Sequence, residues 1–205
     1  IAMLLLSVLL YQQQKTQDEL VELNKDLDLR VLKRTEELNN TLTKVQELKN
    51  QQDADYYLTT LILNPLLKNK TKNNNFQCEF IIQQKKKFKF KKWDTQIGGD
   101  ICIAADLNFK SGKHLLFFNG DAMGKSLQGA GGALVAGTIL NALITRGEIN
   151  GYTVLIASPE KWLEQAYKEI NSVFNSFDGG MMISCVLGLI HEQTGVMKFI
   201  NAEHP

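Results

Sequence analysis

Asp100 and Asp121 are the residues of this chain best placed to do chemistry. Asp100 closes the run Ile97-Gly98-Gly99-Asp100, and Asp121 stands within Asn119-Gly120-Asp121-Ala122-Met123-Gly124-Lys125. Strand-like segments 101–107 and 114–118 lie between them, joined by the turn-like Asn108-Phe109-Lys110-Ser111-Gly112. A hairpin symmetric about Lys110 and Ser111 sets Asp100 opposite Asp121. Cross-strand neighbours sit about 5 Å apart, and like charges there repel. A lone Gly-Asp pair at a strand end ordinarily makes only a turn. Two such pairs on partnered strand ends, with a glycine-rich helix start after the second, call for a cation between the carboxylates. Oxygen-only ligands point to a hard ion such as magnesium or manganese.

The stretch Gly120-Asp121-Ala122-Met123-Gly124-Lys125-Ser126 resembles a phosphate-binding loop but fails its test. A Walker A loop has four residues between its glycines, and here there are three. Asp121 would also face the phosphates inside an anion-binding nest.

The elements that position these residues can be read along the chain. Its 205 residues allow one domain plus extensions. At 44% hydrophobic residues there is enough for a core, and the net charge of +1 gives no support for nucleic-acid binding. Cys78, Cys102 and Cys185 are scattered in apolar runs, with neither metal spacing nor a disulfide framework. They read as small buried hydrophobes in a reducing compartment.

Residues 1–11 are apolar, too short to cross a bilayer, which takes about 20 residues. They read as the end of a transmembrane helix with Tyr11 at the interface, or else as a short buried or interfacial helix. Residues 12–52 are polar and helical, without Gly or Pro. With Leu20 at position d, the seam runs Leu20, Asn24, Leu27, Val31, Arg34, Leu38, Thr41, Val45, Leu48. This predicts a parallel two-stranded coiled coil whose seam is weakened by Asn24, Arg34 and Thr41. It would serve as a signalling helix or as a passive dimerisation stalk.

Residues 53–63 continue the helix until Asn64-Pro65 stops it. Residues 68–75 form a Lys/Asn linker. Phe76, Cys78, Phe80 and Ile82 alternate with polar residues, as in a half-buried strand. Phe88 and Phe90 alternate with lysines, which reads as the solvated face of another strand. Residues 125–145 form a helix opening on Gly129, Ala130, Gly131, Gly132 and Ala133. Each glycine there costs about 1 kcal/mol, which implies close backbone packing or a helix start that moves. Ser158-Pro159 starts another helix, with a buried stripe of Leu163, Ala166, Tyr167, Ile170, Val173 and Phe174. A second hairpin follows, with strands 181–190 and 196–201. Nearly continuous apolar strands imply antiparallel sheets packed together with helices outside, an α+β sandwich.

Three runs in order, Ile97-Gly98-Gly99-Asp100, Gly120-Asp121-Ala122-Met123-Gly124-Lys125 and Asn201-Ala202-Glu203-His204-Pro205, resemble motifs of the SpoIIE-like branch of the bacterial PPM-type (type-2C) serine/threonine phosphatases. The likeness extends over about residues 51–205, with 53–75 resembling a regulatory helix and linker and 76–205 the N-terminal part of the phosphatase domain. It implies a four-layer αββα sandwich, incomplete here, and a site for two Mn2+ or Mg2+ ions. Asp121 would bridge the ions, the Ala122 carbonyl would take one position, and Asp100 would complete the acidic cluster. A water activated between the ions would be the nucleophile, so no residue attacks covalently. Lys125 matches a basic position that orients the loop. Gly129 lies in the helix that shifts when such phosphatases are activated.

Two departures stand out: Met123 replaces the family's Ser, and Glu203 its Gly. Further metal-ligating motifs of the family have no counterpart in these residues, so the 205-residue chain is expected to be inactive by itself. The implied substrate is a phosphoserine or phosphothreonine protein. The implied setting is the cytoplasmic side of the bacterial inner membrane, as the output domain of a signalling homodimer. The alternatives are a non-catalytic pseudo-phosphatase binding module, or another coiled-coil-linked output such as a nucleotide cyclase.

Overall fold

A computed structural model describes residues 2–72, 75–149 and 157–205. The chain divides into two compact units, Ile1–Gln52 and Asp53–Pro205. Helix α1 (Ala2–Leu63) supplies the first unit and opens the second. In the first unit the apolar seam residues Leu20, Leu27, Val31, Leu38, Val45 and Leu48 are all exposed. Asp26–Arg30 and Arg34–Glu37 form ion pairs along the helix, at 2.6 and 3.0 Å.

In the second unit the end of α1 buries Tyr56, Thr60 and Leu63. Pro65 lacks the N–H needed to extend the helix, and the backbone turns back with Asn64 N–H donating to Thr60 O. The short strand β1 (Asn69–Lys70) follows. Strands β2 (Lys86–Phe90) and β3 (Trp93–Ile97) form an antiparallel hairpin. This hairpin holds the helix end through two ring contacts. Tyr56 meets Phe88 edge-on at 5.4 Å, and Tyr57 stacks on Phe90 at 4.9 Å.

Strands β4 (Asp100–Phe109), β5 (Gly112–Ala122), β6 (Ile183–His191) and β7 (Met197–Ala202) form an antiparallel meander, with β1 added in parallel to β4. The sheet order is β1-β4-β5-β6-β7. Helices α2 (Leu127–Ile149) and α3 (Pro159–Asn175) lie against it. Side chains alternate across a strand, so one face carries Ile101, Ile103, Leu116, Phe118, Leu187 and Leu189, each at most 2% exposed. These join Ala133, Ala136, Leu140, Leu163 and Ile170 of the helices in one core. The other face carries Asp100, Asp121, Asn119 and Ser184. The α+β class and the antiparallel sheets thus agree with the sequence reading, with the helices on one face of the five-stranded sheet.

Several local expectations need correction. Phe76, Cys78, Phe80 and Ile82 alternate in burial, yet 76–84 forms no strand, because no ladder partner lies alongside it among the described residues. The expected linker 68–75 instead contributes β1, pairing Asn69 with Ala104 and Lys70 with Ala105. In α3, Trp162 joins the buried stripe, while Tyr167 and Val173 are only half-buried. Residues 127–146 are apolar and long enough to span a membrane, but half of that stretch is buried within the unit, as in a core helix.

The start of α2 is seated on the strand end that carries Asp100. A Cβ on Gly129 would stand 2.9 Å from Gly124 O, 2.9 Å from Gly99 N and 3.1 Å from Gly99 Cα. All three are backbone atoms that cannot rotate away. Gly129→Ala is therefore expected to cost about 1–3 kcal/mol from overpacking, despite the better helix propensity of Ala. Urea titration would show it as a lower midpoint at unchanged slope.

Candidate metal centre

The β4–β5 ladder runs without a bulge from Phe109↔Gly112 to Asp100↔Asp121. The two carboxylates are therefore direct cross-strand neighbours, as the hairpin symmetry predicts. Asp121 is exposed and Asp100 half-buried. Burial raises the Asp100 carboxyl above the usual carboxylate range, and the Asp121 charge raises it further; a backbone hydrogen bond and His204 partly offset this. Gln84 fixes the Asp100 backbone, its Nε2 donating to Asp100 O at 2.7 Å.

Gly99 leaves open the space in front of this pair. A Cβ there would stand 2.1 Å from the Ala122 carbonyl oxygen and 3.0 Å from Asp121 Oδ1. The Asp121 carboxylate and the Ala122 carbonyl thus converge on one small volume that only glycine keeps free, while Ala122 N–H donates back to Gly99 O at 3.1 Å. Two carboxylates and a carbonyl suit a hard divalent cation, with water filling the remaining positions. Among the described residues, no group of three or more His, Cys, Asp and Glu is placed to hold a metal. The donor set therefore fits one such ion, and a second would lack carboxylate ligands of its own.

Lys125 is exposed in the loop after Asp121. Its carbonyl accepts from Gln128 N–H at 3.2 Å, so its backbone opens α2. Gly129 is buried against Gly99, as described above.

The sequence reading did not single out His204 as a site residue. Asn201 clamps the turn after β7, its Oδ1 accepting from His204 N–H at 2.9 Å and its Nδ2 donating to His204 O at 3.1 Å. This sets the imidazole over the polar face of the sheet. Cys102 Sγ donates to Asn119 Oδ1 at 3.4 Å, and Asn119 Nδ2 lies 3.0 Å from His204 Nε2. An amide nitrogen only donates, so Nε2 accepts and Nδ1–H faces Ser184 Oγ at 3.2 Å. Ser184 pairs directly with Asp121 across β5 and β6. The signal that could have found this group was alternation along β5, which places Asn119 on the face of Asp121, and the β6 register, which sets Ser184 opposite it.

Glu203 occupies that same turn with φ +54°. The left-handed region costs an L residue about 1–2 kcal/mol, which explains physically why glycine is the relaxed choice at this position. Burial raises all three thiols, Cys185 to about 11.

Residues 111–205 match the family described as Stage II sporulation protein E (SpoIIE). The match supports a likeness of this part of the chain to SpoIIE-type, PPM-phosphatase-related domains. The match contains Asp121, Ala122, Lys125, Gly129 and the Asn201–Pro205 motif, and it stops short of Asp100. Comparison with curated proteins and with solved structures gave no match.

The raised Asp100 carboxyl has a stability consequence. The folded chain holds that proton more tightly than the unfolded chain, so stability falls as pH rises from the usual carboxylate range through the raised value. With no metal added, Asp100→Asn is expected to flatten that part of the pH profile and to raise the thermal midpoint at neutral pH. Melting curves across pH, in chelator, check both.

Proposed function

We propose that the Asp53–Pro205 unit is the metal-ligating part of a serine/threonine phosphatase that hydrolyses phosphoserine or phosphothreonine in a partner protein. The observation that carries this reading is the direct pairing of Asp100 with Asp121 over the space left by Gly99. The SpoIIE match over the second of these residues supports it. Asp121 and the Ala122 carbonyl would hold the divalent ion, with Asp100 supporting them. When bound, Mn2+ or Mg2+ supplies neutralisation of phosphoryl charge and activation of water for in-line attack. The chain's own contribution is placement. The β4–β5 register holds the carboxylates, Gln84 fixes the Asp100 backbone, and the Asn119–His204–Ser184 network fixes the neighbouring polar surface. Because Gly129 touches Gly99, any shift at the start of α2 is transmitted to the strand end bearing Asp100. That contact gives Gly129 and the loop of Lys125 a regulatory role.

With two carboxylates and no third among the described residues, the 205-residue chain is expected to bind Mn2+ only at roughly millimolar concentration, as do other sparsely charged oxygen sites. Electron paramagnetic resonance of free Mn2+ should show this binding lost in Asp121→Asn and weakened in Asp100→Asn. Hydrolysis of a phosphoserine peptide by this chain should stay near background even in excess Mn2+. Manganese binding that ignores Asp121→Asn would sink the metal reading. Robust hydrolysis lost in Asp121→Asn would overturn the expected inactivity.

The same proposal assigns the Ile1–Gln52 unit to tethering and dimerisation at the cytoplasmic side of the inner membrane. Its exposed apolar residues support this, because an isolated helix gains little stability in water without a packed face. Met3, Leu4, Leu5 and Leu6 would enter the lipid, and the seam from Leu20 to Leu48 would pair with a second copy. Sedimentation equilibrium in mild detergent should give a protein mass near twice 23.1 kDa. Leu27→Lys with Val31→Lys should return it to the monomer, whereas a monomer for the unsubstituted chain would defeat the dimer proposal.

A further inference from the structure

A cleft of about 630 Å3 opens beside Asp121, between α3, the start of β6 and the turn after β7. Asp121 stands among its lining residues, with Met123, Met181 and Met182 on its wall and Tyr167 and Asn171 contributed by α3. Methionines make a polarisable, adaptable wall suited to segments of varied shape. The charged residues lining the cleft are Asp121 and Glu203, and no Lys or Arg joins them. No cation pairs with Glu203 among the described residues.

Glu203 holds a backbone conformation that L residues avoid, at a position where the turn would be relaxed with glycine. Strain kept at a cleft is a reason to ask what its side chain does there. Once Asp121 is engaged with a divalent ion, Glu203 is the remaining charge on the cleft wall. The cleft that contains Asp121 thus combines three thioethers with a second carboxylate. That combination of surfaces matches a Lys or Arg side chain, whose aliphatic stem packs on apolar atoms while its cationic head finds the acid.

We propose that Glu203 is a specificity-determining residue that selects a basic residue of the substrate segment, flanking the phosphorylated residue presented to Asp121. The assignment rests on the phosphatase reading for the phosphate, but the recognition of the basic side chain is separable from it. A glycine at this position would leave the cleft wall uncharged, so the selection belongs to this chain's own residue.

The experiment is fluorescence anisotropy of labelled peptides on the full 205-residue chain with Mn2+ present. The probes are a phosphoserine peptide with arginines flanking the phosphoserine, the same peptide with alanines there, and the unphosphorylated arginine peptide. The arginine peptide should bind about fivefold tighter than the alanine one, the effect of a single partly exposed ion pair. The preference should shrink with added salt. It should vanish in Glu203→Gln and in Glu203→Gly; the latter relieves the backbone strain, so its loss of preference is not a folding defect. Equal binding of the arginine and alanine peptides, a preference that survives either substitution, or no binding of either peptide would overturn the proposal. If the arginine preference holds while the phosphate and Asp121→Asn make no difference, the phosphatase reading fails and the Glu203 assignment stands. If the phosphate matters and the flanking arginines do not, the reverse holds.

Discussion

The second unit is organised around a repulsion. Asp100 and Asp121 face each other across an unbroken antiparallel ladder, where like charges destabilise the pair. Nothing local favours that arrangement, and half-burial of Asp100 makes it worse. It persists because register is a collective property. Slipping the strands by one residue would turn Ile101, Ile103, Leu116 and Phe118 out of the helix-covered core and onto the sheet's other face. Burying one such side chain is worth about 1.5–3 kcal/mol, more than a partly solvated pair of carboxylates can oppose. The apolar face of the sheet thus decides where the charges on its other face must stand.

The same constraint explains the glycines around the site. With the register fixed, the Ala122 carbonyl and the Asp121 carboxylate both crowd the Cβ position of residue 99. The start of α2 then meets the backbone of that residue, so position 129 has no room for a side chain either. These glycines weaken the local propensity of the strand end and the helix start. In return, a helix terminus sits in backbone contact with the strand end that bears Asp100. Such contact passes displacement directly, since closely packed backbone does not absorb strain as a long side chain would.

The site was legible from sequence where short-range symmetry determined it. The turn at Lys110 and Ser111 fixes the whole β4–β5 pairing once the hairpin is recognised, and the aspartates then fall opposite each other. The cap at Ser158 and Pro159 was readable for the same reason, since an N-cap is a property of adjacent residues; Ser158 Oγ accepts from Lys161 N–H. What sequence missed was long-range. The parallel pairing of Asn69 and Lys70 with β4 has no local signature in a Lys/Asn-rich stretch. Residues 76–84 have a strand's alternation, but alternation records which side is covered, not whether a neighbour supplies hydrogen bonds. Gln84 and His204 come from segments far apart in the chain, and nothing in the spacing of either residue announces Asp100 or Asn119 as its neighbour.

The turn after β7 combines these constraints. Asn201 closes it with two hydrogen bonds to the His204 backbone, and the imidazole is then held by Asn119 and Ser184. A turn pinned at both ends cannot relax a strained residue between them by shifting its backbone. Glu203 therefore stays left-handed because its neighbours are anchored, and it lines the cleft that also contains Asp121. Asn201 and His204 thus hold the backbone frame, and that frame carries the Glu203 carboxylate at the wall of the cleft that also contains Asp121.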